Sequence, residues 1–186
     1  MEEKENILNI LSKTKEAIKE GDTTKIKSLS NQTTNTASLT QDPENIAIAV
    51  IVYSLSKILE RQGYSQLPGW DKFYRLYINS IDNSIKALNN NDEKLLKKNL
   101  EAIRLGINKL SGKLKDYIQD VFRKASINKA SKIYEHGLSM EKTANLLGIT
   151  LYELAGYSGE RTINEIRPAN PTDVKSRIKL AMELFR

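Results

Sequence analysis

Few side chains in this chain of 186 residues could carry out catalysis. His136 is the only histidine and cysteine is absent, so neither a thiolate zinc site nor a cysteine nucleophile can form. His136 precedes Gly137 at the predicted end of a helix. An imidazole there is typical of a surface or capping group, because its partly protonated form interacts favourably with the helix dipole. These residues favour a protein that is not an enzyme.

Acidic pairs and phosphate-binding loops give no stronger signal. Asp116 and Asp120 lie one turn apart on a predicted helix and could bind a hard cation, but two acids on an exposed face are usually solvated. Neither GxxxxGK nor GxGxxG occurs in the sequence. We therefore expect no metal and no cofactor. One weaker enzyme interpretation stays open, in which the Ser-, Thr- and Asn-rich segment 30–41 places polar side chains in a pocket.

Composition predicts a folded, soluble protein of the cytoplasm. Hydrophobic residues make up 39% of the chain and charged residues 28%, which is normal for such a protein. The absence of cysteine fits a reducing compartment, and the amino-terminal residues do not resemble a secretory signal. The longest apolar run, residues 46–53, is far shorter than the ~20 residues that span a bilayer. We expect no membrane association.

Positive charge is concentrated towards the end of the chain. The net charge is +6, and residues 123–186 hold 11 Lys and Arg against 7 Asp and Glu, a balance of +4. A basic excess suits a polyanionic partner such as DNA. A solvated, lysine-rich surface explains the same excess more simply, so charge alone does not predict DNA binding.

Helices must position these side chains, because only four prolines and nine glycines interrupt the chain. Asp42 and Asp92 are suited to cap helices that follow them. Apolar residues at helical spacing predict helices over 2–20, 43–63, 70–88, 93–110 and 113–136. A further helix is predicted to begin at residue 23 or 24. Whether 30–41 continues the second helix is open, since Ser, Thr and Asn compete for backbone hydrogen bonds. Short breaks predict an all-α, antiparallel helical bundle.

Residues 131–159 form the most specific stretch, with the spacing of a helix-turn-helix. Gly137 is predicted to end one helix, and Ser139 to cap the next. Ala144 supplies a small side chain where two helices cross. Gly148, four residues later, supplies the left-handed backbone of the tight turn.

The second helix of this motif is predicted to begin with a capping box, formed by Thr150 and Glu153. In DNA readers the first side chains of this helix face base edges. Here Leu151 and Tyr152 stand there, and none of the usual base-reading types is present. The candidate DNA-contacting residues are Lys142, Thr150, Tyr152, Arg161 and Arg167. DNA binding and the use of the motif for packing or for a protein partner are both open.

The run IYEHGLSMEKTANLLGITLYEL resembles the small prokaryotic antitoxin-type helix-turn-helix proteins. The matching positions are Ile133, Tyr134, Gly137, Ser139, Ala144, Gly148 and Ile149. Asn145 departs from the pattern, since the family often has a second small residue or an acid there. The resemblance covers about 30 of the 186 residues. It implies a toxin–antitoxin system in which a PIN-type ribonuclease toxin is inhibited by the antitoxin's C-terminal segment.

The C-terminal tail fits such a role. Thr172 is predicted to cap a final amphipathic helix after Pro168 and Pro171. An apolar terminal helix can dock into a partner's groove, with Arg177 or Lys179 reaching acidic groups. It can also fold back on its own bundle. The candidate partner-binding residues are Val174, Arg177, Ile178, Ala181, Leu184 and Phe185.

The sequence thus predicts a helical bundle over 1–122, a helix-turn-helix over 123–160 and a C-terminal tail with a terminal helix over 161–186. One helix is expected to cross the first boundary, which is then a change of role rather than a linker. The favoured interpretation is a non-enzymatic, antitoxin-like regulator that binds a toxin and is a candidate DNA binder, with the bundle as a dimerisation or accessory domain. The alternative is a helical protein–protein adaptor without DNA binding.

Overall fold

The computed structural model describes residues 3–40, 42–147 and 149–156. No residue in these ranges lies in a strand, so the predicted all-α fold class is confirmed. The helices are α1 (Lys4–Glu20), α2 (Thr23–Thr40), α3 (Pro43–Glu60), α4 (Trp70–Asn89), α5 (Glu93–Asn108), α6 (Gly112–Glu135) and α7 (Met140–Leu147). Residues 151–156 are also helical. Within the described ranges, no helix is both long and apolar enough to cross a membrane.

The polar segment after residue 30 belongs to α2. The hydroxyls of Thr33 and Thr34 donate to the carbonyl oxygens of Leu29 and Ser30, one turn earlier. The Ser30 hydroxyl donates to the Ala49 carbonyl of α3 at 2.7 Å. These groups are buried between helices with their hydrogen bonds made. Helix packing and these hydrogen bonds account for the burial of the three hydroxyls.

Both predicted aspartate caps are confirmed. The Asp42 carboxylate accepts a hydrogen bond from the Glu44 amide at 2.9 Å. Asp92 accepts one from the Leu95 amide, also at 2.9 Å. Each carboxylate satisfies an amide that the first turn of a helix leaves without a backbone partner.

The predicted end of α3 at Gly63 is wrong by three residues. Helix α3 ends at Glu60, because Arg61 takes an extended conformation. A short 3-10 helix, Gln62–Gln66, replaces the expected last turn. From this segment Tyr64 packs against the main core.

The main core lies among α1 to α6. Tyr77 is fully buried there, and its hydroxyl donates to the Ile51 carbonyl at 2.6 Å, which ties α4 to α3. Gly106 lies where α5 approaches α4 closely, since a Cβ at this position would clash with Leu76. A glycine inside a helix costs about 1 kcal/mol against alanine, and here it leaves room for the end of the Leu76 side chain.

Helix α6 runs unbroken across position 123, as predicted, and joins the bundle to the final helices. Its Ile133 forms a second buried cluster with Ala37 of α2, Ile46 of α3 and Leu138. The last described helices are therefore packed on the bundle through α6. The predicted tail, residues 161–186, lies outside the described residues.

Candidate binding surfaces

Helix α7 and the helical residues 151–156 form a compact two-helix unit. Gly137, whose φ is 98°, follows the C-cap of α6 and turns the chain towards α7. The Ser139 hydroxyl then caps α7 by accepting from the Lys142 amide at 3.2 Å. After α7, the Ile149 amide donates back to the Ala144 carbonyl at 3.1 Å. Gly148, predicted to supply the turn, lies outside the described residues.

Small side chains let these helices approach each other. Ala144 of α7, Ala130 of α6 and Leu154 are buried together in one cluster. Alanines at two facing positions leave room for the leucine of the final helix. Ala144 therefore lies at the contact between α7, α6 and residues 151–156.

A reciprocal pair of hydrogen bonds caps residues 151–156. The Glu153 amide donates to the Thr150 hydroxyl at 3.1 Å, and the Glu153 carboxylate accepts from the Thr150 amide at 2.9 Å. The Arg123 guanidinium donates to the same carboxylate at 2.8 Å. The Thr150 amide, its hydroxyl and then Arg123 hold the pKa of Glu153 below its ordinary value. The capping box is confirmed; its tie to α6 was not visible in the sequence.

Three of the five candidate DNA-contacting residues lie on this unit. Lys142 is exposed on α7, and Thr150 is exposed at the start of the second helix. Tyr152 is 88% exposed and its neighbour Leu151 is 49% exposed. The Thr150 hydroxyl donates to Glu153 as part of the cap. The second helix therefore begins with two exposed side chains, the aliphatic Leu151 and the aromatic Tyr152.

The remaining predicted site residues lie outside the described residues. For DNA they are Arg161 and Arg167. For the protein partner they are Val174, Arg177, Ile178, Ala181, Leu184 and Phe185. Their predicted roles stay predictions.

A second candidate surface is a groove of about 700 Å³ between α3, α5 and α6, which we call the α5 groove. Helix α5 packs mainly on α4 and touches α3 and α6 at few points, which leaves the space open. Buried isoleucines, including Ile51 and Ile103, form its floor. The half-buried side chains on its walls are Ala47, Leu100, Phe122 and Leu147. Leu147 places α7 at its edge.

Four charged side chains on the rim of the α5 groove form two pairs with each other. Lys97 of α5 lies 2.9 Å from the Glu44 carboxylate of α3. A side-chain hydrogen bond with Asp42, followed by Lys97, lowers the pKa of Glu44. Arg104 forms a bidentate pair with Glu101 on the same helix. The fifth, Arg123, pairs with Glu153 outside the lining, so the groove is an apolar surface whose charged rim side chains all have partners.

Lys129 is a buried lysine that the sequence analysis did not single out. Its side chain is fully buried in α6, and Nζ donates to the Asn31 side-chain oxygen at 3.0 Å. Nζ also lies 4.5 Å from the centre of the Tyr53 ring. Burial, and then repulsion from Lys132 and Lys27, lowers the pKa of Lys129 to about 7. The sequence does contain a signal for this burial: Lys129 comes four residues after Ala125 and four before Ile133, so it lies on the same apolar face of α6.

The described residues hold no cluster of three or more His, Asp or Glu side chains that could bind a metal. His136 is exposed at the end of α6, the position the sequence predicts. Asp120 is paired with Lys124 at 2.8 Å, while Asp116 is exposed. The three side chains lie on the surface of the described structure.

Comparison with models of protein families, with curated proteins and with solved structures finds no match for this chain. The antitoxin resemblance therefore rests on the residues quoted for it alone. Function has to be argued from the two surfaces described above.

Proposed function

We propose that this chain is a non-enzymatic, antitoxin-like regulator. In this proposal residues 139–156 act as a helix-turn-helix with DNA as a candidate ligand. The C-terminal tail engages a toxin partner, a PIN-type nuclease. The bundle supports both and is a candidate dimerisation domain.

The observation that carries the proposal is the exposed second helix of a well-capped two-helix unit. Ala144 and Leu154 seat the two helices on α6, and the Thr150–Glu153 capping box fixes where the second one begins. A helix held in this way presents its first turn to solvent. That is the turn which DNA-binding helix-turn-helix proteins place in the major groove.

The chemistry of this first turn also supports the second candidate, an adaptor that binds only protein. Tyr152 and Leu151 lead the helix, while base-specific readout usually relies on Arg, Lys, Asn or Gln. Tyrosine is enriched at protein–protein interfaces. Lys142 is suited to contact phosphate without reading sequence. Any DNA affinity should therefore be largely electrostatic.

The two candidates differ in how binding responds to salt. The full chain is titrated with a labelled duplex at several salt concentrations, and anisotropy gives the affinity. For the regulator, the affinity falls steeply as salt rises, and Lys142→Ala makes the slope shallower by about one phosphate contact. Lys98→Ala, an exposed lysine on α5, is the matched control.

The adaptor predicts no such DNA binding. It predicts instead that a protein partner is lost in Leu151→Ala and kept in Leu105→Ala, since these leucines are 49% and 47% exposed. The regulator predicts in addition that a PIN-type nuclease is encoded beside this chain, and that the full chain inhibits its cleavage of RNA. A chain that binds neither duplex nor nuclease contradicts the proposed regulator.

A further inference from the structure

Among the described residues, the α5 groove is an open, largely apolar depression. Its walls expose part of Leu100, Phe122 and Leu147 to solvent, while its floor is already packed. Covering these apolar side chains with the apolar face of a helix would remove them from water, which is favourable. The paired charges on the rim offer little to select a charged ligand.

We propose that the α5 groove binds residues 172–186 of the same chain as an amphipathic helix. The apolar positions that the sequence places on one face of this segment are Val174, Ile178, Ala181 and Phe185. Those side chains match the aliphatic and aromatic walls of the groove. The segment lies outside the described residues.

The residues just before the tail lie close to the groove. Arg123 on the rim donates to the Glu153 carboxylate at 2.8 Å. Gly156 follows Glu153 by three positions, about 5 Å along a helix. Leu147, which ends α7, forms part of the groove wall. Gly156 is therefore near the site proposed for the tail.

The lengths also agree. Residues 157–171 separate Gly156 from the segment and can span up to ~50 Å, so reach is not limiting. The groove extends along α5 from Lys97 to Asn108, about 16 Å at the helical rise. A helix over 172–186 would be about 22 Å long. About three of its turns would lie in the groove.

Tethering favours this occupant over a second copy or a foreign helix. A short tether gives its segment an effective concentration on the order of millimolar. A segment with an intrinsic dissociation constant of about 0.1 mM would therefore be docked roughly nine-tenths of the time. A second copy at micromolar concentration would not compete. The inference stands without the proposed function; if both hold, a toxin must draw the tail out of the groove.

Thiol accessibility tests the proposal, because the chain has no cysteine of its own. Ser126→Cys places a thiol in the groove lining with almost no change in shape, and Ala47→Cys is a second reporter on the α3 wall. The reaction rate with DTNB is measured in the full chain, in a chain ending at residue 171, and in the full chain with Ile178→Asp. Lys98→Cys, on α5 outside the groove lining, is the matched control.

We expect each groove thiol to react about tenfold more slowly in the full chain than in the shortened chain or with Ile178→Asp, as for a segment docked about nine-tenths of the time. Lys98→Cys should react equally in all three. Equal rates for the groove thiols would overturn the proposal. Protection that grows with protein concentration would also overturn it, because it assigns the groove to a second copy. No toxin or DNA is present, so this outcome is independent of the proposed regulator.

Discussion

At the scale of single residues, Lys129 is the side chain whose surroundings depart most from its type. It is fully buried in α6 and its pKa is lowered to about 7, from an ordinary 10.5. The groups facing Nζ are Asn31, the Tyr53 ring and two further cations, Lys132 and Lys27. No carboxylate contributes to the shift of its pKa. Holding the charged form here opposes folding.

This environment predicts how stability depends on pH. Between pH 7 and 10.5 the unfolded chain binds more protons than the folded chain at Lys129, so the free energy of unfolding should rise with pH. The rise is best followed from pH 6 to 9.5. Burial raises the pKa of Tyr117 to about 12, so at higher pH this tyrosine ionises in the unfolded chain before it ionises in the folded one. The free energy of unfolding then falls with pH. Lys129→Met should remove the rise and stabilise the protein at pH 6 by on the order of a few kcal/mol.

Urea unfolding at several pH values measures both effects. Lys124→Met is the control, since Lys124 is exposed and paired with Asp120. A wild-type curve that is flat from pH 6 to 9.5, or a Lys129→Met variant less stable than wild type at pH 6, would be incompatible with a buried, unpaired charge. The burial of the Lys129 ammonium group could not be predicted from the sequence, because lysines on apolar faces usually extend their ammonium groups to water.

At the scale of elements, caps and periodicity predicted most of the helices. Asp42, Asp92 and Ser139 each accept the expected amide hydrogen bond. Such signals are local, so they can be found in a linear sequence. The end of α3 and the continuation of α2 past residue 30 depend on packing against other helices. The α5 groove was likewise hidden, because it arises from how far α5 stands from α3 and α6.

The capping box gives a prediction for the second helix of the two-helix unit. Thr150→Ala should destabilise residues 151–156 by about 1 kcal/mol, since the Glu153 amide loses its acceptor. Amide hydrogen exchange at Leu154 should then quicken by about fivefold. Thr24→Ala, at an exposed position in α2, should leave that rate unchanged. Unchanged exchange at Leu154 in Thr150→Ala would show that the cap does not hold this helix.

Gly106 gives a prediction about the contact between α5 and α4. Alanine normally stabilises a helix interior by about 1 kcal/mol relative to glycine. Here the added Cβ would meet the end of the Leu76 side chain, which must move aside, so Gly106→Ala should gain less than this amount. In a Leu76→Ala background the same substitution should show the full gain, which a double-mutant cycle in urea measures. A full gain in the single variant would show that α4 and α5 are farther apart.

At the scale of the whole molecule, the two-helix unit is part of a continuous body. Helix α6 carries it out of the bundle, and Ile133 packs with Ile46 and Ala37 of the preceding helices. A ligand that binds the two-helix unit can therefore affect the packing of the bundle through α6. The same arrangement brings Glu153 into contact with Arg123 on the rim of the α5 groove. A tail shared between the groove and a partner would couple the two surfaces.

The central claim is that the unit over 139–156 is a binding surface. Its most direct test is chemical-shift mapping of the full, isotope-labelled chain titrated with duplex DNA at low salt. The account predicts that the amides of Lys142, Thr150 and Tyr152 shift most and return as salt is added. Shifts confined to other helices, or none at these three amides at saturating DNA, would contradict it.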